Sequence, residues 1–135
     1  MTKSELLTHV AKELIENNNL EVIENYFAVE YVAHSEDKKF AGHAFLKRFS
    51  KQLQKAITEK KLLKVEFIAE DTNTLTWQRT ISGTHQNSMQ GIPPSHKKIT
   101  WHEMVVTRIE DDNIKEEWIL SGLMGQLLLH LGKSK

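Results

Sequence analysis

Cysteine is absent from this 135-residue chain, and proline occurs only twice. Without a thiol the protein has neither disulfides nor a thiolate nucleophile. A chain of this length can bury a sufficient core as one domain, so we expect residues 1–135 to form a single domain. No apolar run reaches the length of a membrane span, and the N-terminus lacks the apolar core of a signal peptide. We therefore expect a soluble cytoplasmic protein without a membrane partner.

A surplus of positive charge is also lacking, since 18 basic residues balance 18 acidic ones. The chain therefore has no electrostatic signature of a nucleic-acid partner. Its seven histidines do not follow a recognised metal-binding spacing. Motifs for nucleotides and phosphates are missing as well, so we expect neither a metal nor a cofactor. A net charge near zero does little to prevent self-association, which is compatible with a homo-oligomer.

Helical periodicity dominates the first part of the chain. Leu6, Leu7, Val10 and Leu14 recur on one helical face. Thr2 and Glu5 have the spacing of a capping box ahead of that face. The predicted helices cover residues 6–15, 20–27 and 42–57, and residues 58–61 are expected to form a solvated exit from the third.

Alternation with period two replaces this pattern from Leu63 onward. Short polar turns separate the alternating segments, so consecutive strands should pair antiparallel. Helices followed by a meander of strands indicate an α+β fold. The predicted strands cover residues 63–70, 74–85, 98–109 and 114–121, with an earlier short strand at 31–35, a charged turn at 35–39, and a terminal helix from Leu123 to Gly132.

The most informative segment lies between the second and third of these long strands. It contains Gly83, Gly91, Pro93-Pro94 and two histidines. The glycines permit backbone angles that other residues avoid, and the prolines cannot donate ladder hydrogen bonds. A histidine at a strand end beside such a loop indicates a site. The alternative is a long hairpin loop with a surface histidine.

Gly83-Thr84-His85, followed by Gly91-Ile92-Pro93-Pro94-Ser95-His96-Lys97, resembles the GTH…GIPPTGK signature of the SnoaL-like polyketide cyclases and ester cyclases. The segments 108–118 and 126–132 are similar to the family's strand pair and closing helix. This family belongs to the nuclear-transport-factor-2-like superfamily. The resemblance implies an α+β cone in which a strongly curved antiparallel sheet wraps the helices. It also implies a homodimer and an interior pocket for a small hydrophobic molecule.

Strand alternation suggests which side chains line that interior. On the second long strand, Trp77 and Arg79 share the more apolar face, although a bulge at Gly83 would change the side to which His85 points. On the last strand, Glu116 shares a face with Ile114 and Trp118. Burial there would raise the pKa of Glu116 and suit acid–base work. The alternative is a structural ion pair of Glu116 with Arg79 or Arg108.

His34 and His85 match motif positions of the family, and imidazole exchanges protons near neutral pH. We assign His85 as the principal acid/base, with His34 and Glu116 supporting it. The tryptophans are expected to pack on the substrate, although each is also an ordinary core residue by its pattern. The candidate substrate-binding residues are Trp77, Trp118, Phe49, Arg79 and His102.

One departure from the family bears directly on function. The family's general acid/base is an aspartate a few residues beyond the conserved tryptophan, whereas Ser121-Gly122 occupies that region here and no acidic residue follows Glu117. Three hypotheses therefore stand. The first is cyclisation or isomerisation of a small carbonyl-bearing molecule. The second is a non-catalytic binding module. The third is a hydrolase of the limonene-epoxide type, which needs more inward carboxylates than the chain offers.

Overall fold

A single curved sheet of six strands organises the protein, in the spatial order β2-β1-β6-β5-β4-β3. The computed structural model describes residues 1–131, so the predicted helix end at Gly132 lies outside the described residues. The elements are α1 (Lys3–Ile15), α2 (Glu21–Tyr26), β1 (Phe27–Ser35), β2 (Lys38–Ala41), α3 (Gly42–Ala56), β3 (Ile57–Glu70), β4 (Thr74–His85), β5 (Lys98–Glu110), β6 (Asn113–Ser121) and α4 (Leu123–Leu129).

The first helix forms as its sequence pattern predicts. Its apolar face is buried against the sheet, and the capping box is confirmed, because Thr2 accepts from the Glu5 amide while Glu5 accepts from the Thr2 amide. None of the helices within residues 1–131 combines the length and hydropathy needed to cross a bilayer.

The boundary between α3 and β3 differs from the prediction, which was a helix to residue 57 followed by a solvent-exposed segment at residues 58–61. The helix ends at Ala56 and the strand begins at Ile57. The Ala56 carbonyl accepts hydrogen bonds from the backbone amides of Gln86 and Asn87, at 2.8 and 3.2 Å. Ile57 already pairs with His85 in the sheet. Tertiary pairing with the distant β4 therefore ends the helix, which local periodicity does not indicate.

The antiparallel meander β3-β4-β5-β6 is confirmed, and β4 has the predicted bounds. Two features of the sheet were not predicted. The predicted charged turn forms at residues 36–37, but Lys38 and Lys39 of that segment belong to a short strand, β2, which pairs with β1. In addition, β1 runs parallel to β6, with His34 opposite Trp118. This parallel pairing joins the N-terminal helices to the far end of the meander.

The loop between β4 and β5, residues 86–97, is a structured connection. Met89 and Ile92 form an isolated bridge, and Met89 is buried. Gly91 has a φ of 83°, as expected of a glycine needed for backbone freedom. The reason for Gly83 is different. A Cβ there would lie 2.5 Å from Cγ2 of Ile57, so the close approach of β3 requires glycine.

Candidate functional site

The inner face of the central strands carries polar side chains among buried aromatic ones. Trp77 and Arg79 point inward from β4, and Glu103 and Thr107 point inward from β5. Strand alternation explains the placement, since these positions share parity with the buried residues around them. We call the group of Tyr31, Arg79, Glu103, Thr107 and Glu117 the inner cluster.

Arg79 and Glu103 face each other across neighbouring strands and form an ion pair. Arg79 Nε donates to Glu103 Oε1 at 2.7 Å. The other oxygen of Glu103 accepts from Trp101 Nε1 at 3.1 Å and from Ser121 Oγ at 2.8 Å. The Arg79 guanidinium carbon lies 5.1 Å from the ring centroid of Trp77, a cation–π contact. The carboxylate is thus held from several directions.

Glu117 is the second carboxyl group of the inner cluster. Its Oε1 accepts from Tyr31 Oη at 2.9 Å, and its Oε2 accepts from Thr107 Oγ1 at 2.6 Å. Thr107 Oγ1 in turn accepts from Trp77 Nε1 at 2.9 Å. These contacts connect β1, β6, β5 and β4 through one chain of buried hydrogen bonds, which fixes the orientation of Glu117.

The two carboxyl groups differ in protonation tendency. Burial raises the pKa of Glu117, and the Arg79 charge offsets this effect only in part. Burial also acts to raise the pKa of Glu103, but the charge of Arg79 and the hydrogen bonds from Ser121, Arg79 and Trp101 outweigh it and lower the pKa. The inner cluster therefore pairs a carboxylate that stays ionised with a carboxyl group that more readily holds a proton.

Parts of the inner cluster remain accessible. The side chains of Arg79 and Glu103 are 18% and 13% exposed, and Glu117 as a residue is 6% exposed. Arg79 donates through Nε, whereas its two terminal nitrogens donate to no other residue in the described range 1–131. An arginine with unused donors and a partly exposed side chain can bind a ligand oxygen.

The candidates His34, Glu116 and Trp118 lie together on the opposite, outer face of the sheet. His34 Nε2 is 2.6 Å from Glu116 Oε2, and the rings of His34 and Trp118 are stacked with centroids 5.0 Å apart. Arg108 also contacts Glu116, at 3.2 Å. Hydrogen bonding from His34, together with Arg108, lowers the pKa of Glu116 rather than raising it.

The reason for this reversal is a bulge in β6. Arg108 pairs with Glu116, yet the next residue, Ile109, pairs with Ile114, so Lys115 is an extra residue in the strand. One extra residue exchanges the faces of everything beyond it. Glu117 consequently points inward and Glu116 outward, with Arg108 as its partner.

The remaining candidates lie apart from one another. His102 is on the outer face, where its Nδ1 is 3.0 Å from Thr80 Oγ1. Phe49, on α3, is 38% exposed and stacks on Phe45. Trp77 and Arg79 are the two candidates that the fold brings into contact inside the sheet.

His85 is completely buried, and neither ring nitrogen has a hydrogen-bond partner of good geometry within residues 1–131. The regular β4–β5 register continues through Gly83, so β4 has no bulge there that would change the side to which His85 points. Burial lowers the pKa of His85, which favours the neutral ring. Its catalytic role stays a prediction.

Two depressions lie elsewhere on the protein. One, of about 240 Å³, is on the outer face and is lined by residues that include His34, Met104 and Trp118. The other, of about 500 Å³, lies between the ends of α1 and α3 and the start of β3. Neither is lined by Arg79, Glu103 or Glu117. Within residues 1–131, no three histidine, aspartate or glutamate side chains are grouped as a metal site would need.

A family model for the SnoaL-like polyketide cyclases matches residues 5–128. The chain belongs to the SnoaL-like polyketide cyclase family. Solved structures agree with this family's fold. A proposed polyketide cyclase from Acidithiobacillus ferrooxidans is 19% identical, with a TM-score of 0.81 and full coverage of both chains. IdmH, a proposed polyketide cyclase from Streptomyces antibioticus, is 18% identical, with a TM-score of 0.80 and coverage of 98% and 99%.

AclR, a proposed hydroxylase from Streptomyces galilaeus, is 23% identical, with a TM-score of 0.75 and coverage of 98% of this chain and 87% of AclR. No curated protein matches the chain. Membership of the SnoaL-like family and the cone fold are thus established, and the sheet is the curved, unclosed sheet of that fold.

Sequence reasoning missed Glu103 and Glu117 as members of a SnoaL-like interior. Glu103 had a signal, because it alternates with Trp101 and Val105 on β5 and lies opposite Arg79. Glu117 had none, since the bulge at Lys115 reverses the alternation. Ser121, in the region of the expected aspartate, donates a hydrogen bond from its hydroxyl group to Glu103, so a carboxylate from the neighbouring strand lies beside it.

Proposed function

We propose that this SnoaL-like protein catalyses proton transfer on a small, uncharged, carbonyl-bearing molecule inside the cone, leading to isomerisation or cyclisation. Glu117 is the acid/base, Arg79 binds the carbonyl oxygen, and Glu103 holds Arg79 in place. The observation that carries the proposal is that two buried carboxyl groups near one arginine have opposite pKa shifts, Glu103 being paired with Arg79 and Glu117 being held by Tyr31 and Thr107. Such divergence is the pattern expected of an acid–base pair.

The proposed reaction has three parts: removal of a proton, stabilisation of the enolate, and return of the proton or closure of a ring. The carboxylate form of Glu117 takes a proton from the carbon next to the carbonyl, and the resulting enolate oxygen receives hydrogen bonds from the terminal nitrogens of Arg79. Return of the proton to another carbon completes an isomerisation. Attack of the enolate carbon on a second carbonyl group of the same molecule forms a ring, and the proton then passes to the new alkoxide oxygen.

The charge balance of the inner cluster favours an uncharged substrate. Arg79 and Glu103 offset each other's charge, so this ion pair attracts neither an anionic nor a cationic substrate strongly. Trp77 and Trp101 are both buried beside the pair and supply apolar surface. These surroundings agree with a largely apolar molecule that presents one or two carbonyl groups.

Adjacent residues of β6 allow a matched test. The readout is exchange of the α-protons of small cyclic 1,3-diketones and β-keto esters in D₂O, followed by NMR. We expect Glu117→Gln to slow exchange by about 10²–10⁴-fold, the usual value of general acid–base catalysis. Glu116→Gln, on the outer face, should leave the rate unchanged. Loss of exchange in Glu116→Gln or His85→Gln instead would support the assignment made from sequence.

A second candidate function is a non-catalytic binding module for a small hydrophobic molecule. It is favoured by Ser121, which replaces the aspartate expected in that region, and by the limited access to the inner cluster. The same compounds, titrated while tryptophan fluorescence is followed, separate the two functions. Saturable binding without any acceleration of exchange by the parent protein would establish the module and exclude the catalytic proposal.

A further inference from the structure

Lys60, at the start of β3, is turned into the protein. The β3–β4 register shifts between Thr58 and Lys61, and Glu59 within this bulge has a φ of 53°. The extra residue brings Lys60 inward, where it is 6% exposed. Its Cγ lies 3.3 Å from the position that a Cβ on Gly83 would take, so the lysine stem crosses the space which that glycine leaves.

The amino group of Lys60 has only uncharged partners. Its Nζ lies 3.1 Å from Asn18 Oδ1 and 3.4 Å from the Ile57 carbonyl oxygen. Within residues 1–131, no aspartate or glutamate oxygen lies within 4.0 Å of the Lys60 Nζ, the distance limit for an ion pair. Lys47 and Lys115, in contrast, each pair with a glutamate. Burial lowers the pKa of Lys60, which favours the neutral amine.

Lys60 lines the cleft of about 500 Å³ between the ends of α1 and α3 and the start of β3. The titratable groups that share this cleft are Glu16, Glu59 and Lys61. Glu16 is fixed in the wall, because its Oε2 accepts the Leu62 amide at 2.8 Å. A buried amine, an anchored carboxyl group and an open cleft are the components of a covalent carbonyl site.

We propose that Lys60 is a reactive amine that takes a small aldehyde or ketone as an imine in this cleft. The nitrogen lone pair forms the bond to the carbonyl carbon, and the carbonyl π electrons move to its oxygen. Both amine protons then leave with that oxygen as water, and a carbon–nitrogen double bond remains. Glu16 is the anchored carboxyl group in the cleft that carries protons from nitrogen to oxygen, and it does so through a water molecule because it lies beyond 4.0 Å from Nζ. This site is independent of the inner cluster.

Reductive trapping tests the proposal on the whole protein. The chain is incubated with propanal and cyanoborohydride at pH 7, and the modified lysines are found by peptide mass mapping. The neighbouring Lys61, which is exposed, is the internal control. We expect Lys60 to be modified faster than Lys61 at pH 7. The ratio should fall as the pH approaches 10.5, the ordinary pKa of lysine, because both amines are then largely neutral.

Two variants locate the adduct. Lys60→Arg should lose the fast-labelled site, whereas Lys61→Arg should keep it. The parent labelling ratio needs no variant, so the test holds even if Lys60→Arg fails to fold. Modification of Lys60 no faster than Lys61 at pH 7 overturns the proposal. Lys60 would then be a cation that stabilises the C-terminal ends of α1 and α3, where the helix dipoles place negative charge.

Discussion

Two consecutive glutamates show how strongly surroundings decide what a residue does. Glu116 receives hydrogen bonds from His34 and Arg108 at the outer face, and its pKa falls. Glu117 is buried at the inner face, and its pKa rises. The residue type is the same, so only the side of the sheet distinguishes a structural ion pair from a candidate acid/base.

His85 offers a residue-scale prediction about stability. Its two buried ring nitrogens, which have no partner within residues 1–131, cost about 1–3 kcal/mol, so His85→Leu should raise the free energy of unfolding at pH 8 by about 1 kcal/mol. In the unfolded chain the ring titrates near 6.5, whereas burial lowers its pKa in the folded protein. The unfolded chain takes up the proton first, and stability must fall as the pH drops below 6.5.

Urea unfolding of parent and variant at pH 8 and pH 5.5 measures both effects. His85→Leu should lose less stability between these pH values than the parent protein does. His102→Gln, at an exposed ring on the outer face, is the control and should follow the parent. An unchanged acid dependence in His85→Leu would show that the buried ring is not its source.

At the scale of elements, the sequence predicted the inward-facing side chains correctly on a regular strand but not on a strand that contains a bulge. Regular alternation on β4 correctly indicated that Trp77 and Arg79 point inward, and the bounds of that strand were predicted as well. The bulge at Lys115 in β6 has no compositional signature, and it places Glu117 rather than Glu116 on the inner face of the sheet. A single extra residue is decided by tertiary pairing, so local periodicity cannot reveal it.

The contact between β3 and β4 at Gly83 gives a prediction at this scale. A Cβ on residue 83 would lie 2.5 Å from Ile57 Cγ2 and 3.1 Å from the Thr58 carbonyl oxygen. Gly83→Ala should therefore reduce the free energy of unfolding by about 1–3 kcal/mol through overpacking. Urea denaturation measures the change.

Gly125 is the matched control. It lies in α4, and a Cβ there would meet nothing within 4 Å. Gly125→Ala should stabilise the helix by up to about 1 kcal/mol, because alanine is the better helix former. Equal and small effects at both glycines would show that β3 can move away from β4 at no cost.

At the scale of the whole molecule, the outer face of the sheet carries an exposed apolar surface. Met104, Trp118 and Leu120 are 40%, 42% and 65% exposed there, and they line the shallow groove of that face. The net charge of zero opposes association only weakly. We propose that a second copy of the chain covers this face, which agrees with the homodimer expected from the family resemblance.

Light scattering coupled to size exclusion tests this assembly. Leu120→Lys should convert the dimer to a monomer, because it places a charge in the apolar contact. Leu128→Lys, at an exposed leucine on α4, is the control and should remain dimeric. A parent protein that is monomeric at all accessible concentrations would rule out the dimer.

The parallel pairing of β1 with β6 has a consequence for how the chain is made. Val32 and Glu116 are partners in the sheet although they lie 84 positions apart, as their numbers show. Such distant pairings slow folding, because a long loop must close before the contacts form. During synthesis β1 is made long before β6, and it has no β6 to pair with until residues 113–121 have emerged from the ribosome. Until β6 is available, β1 has only β2 as a strand partner.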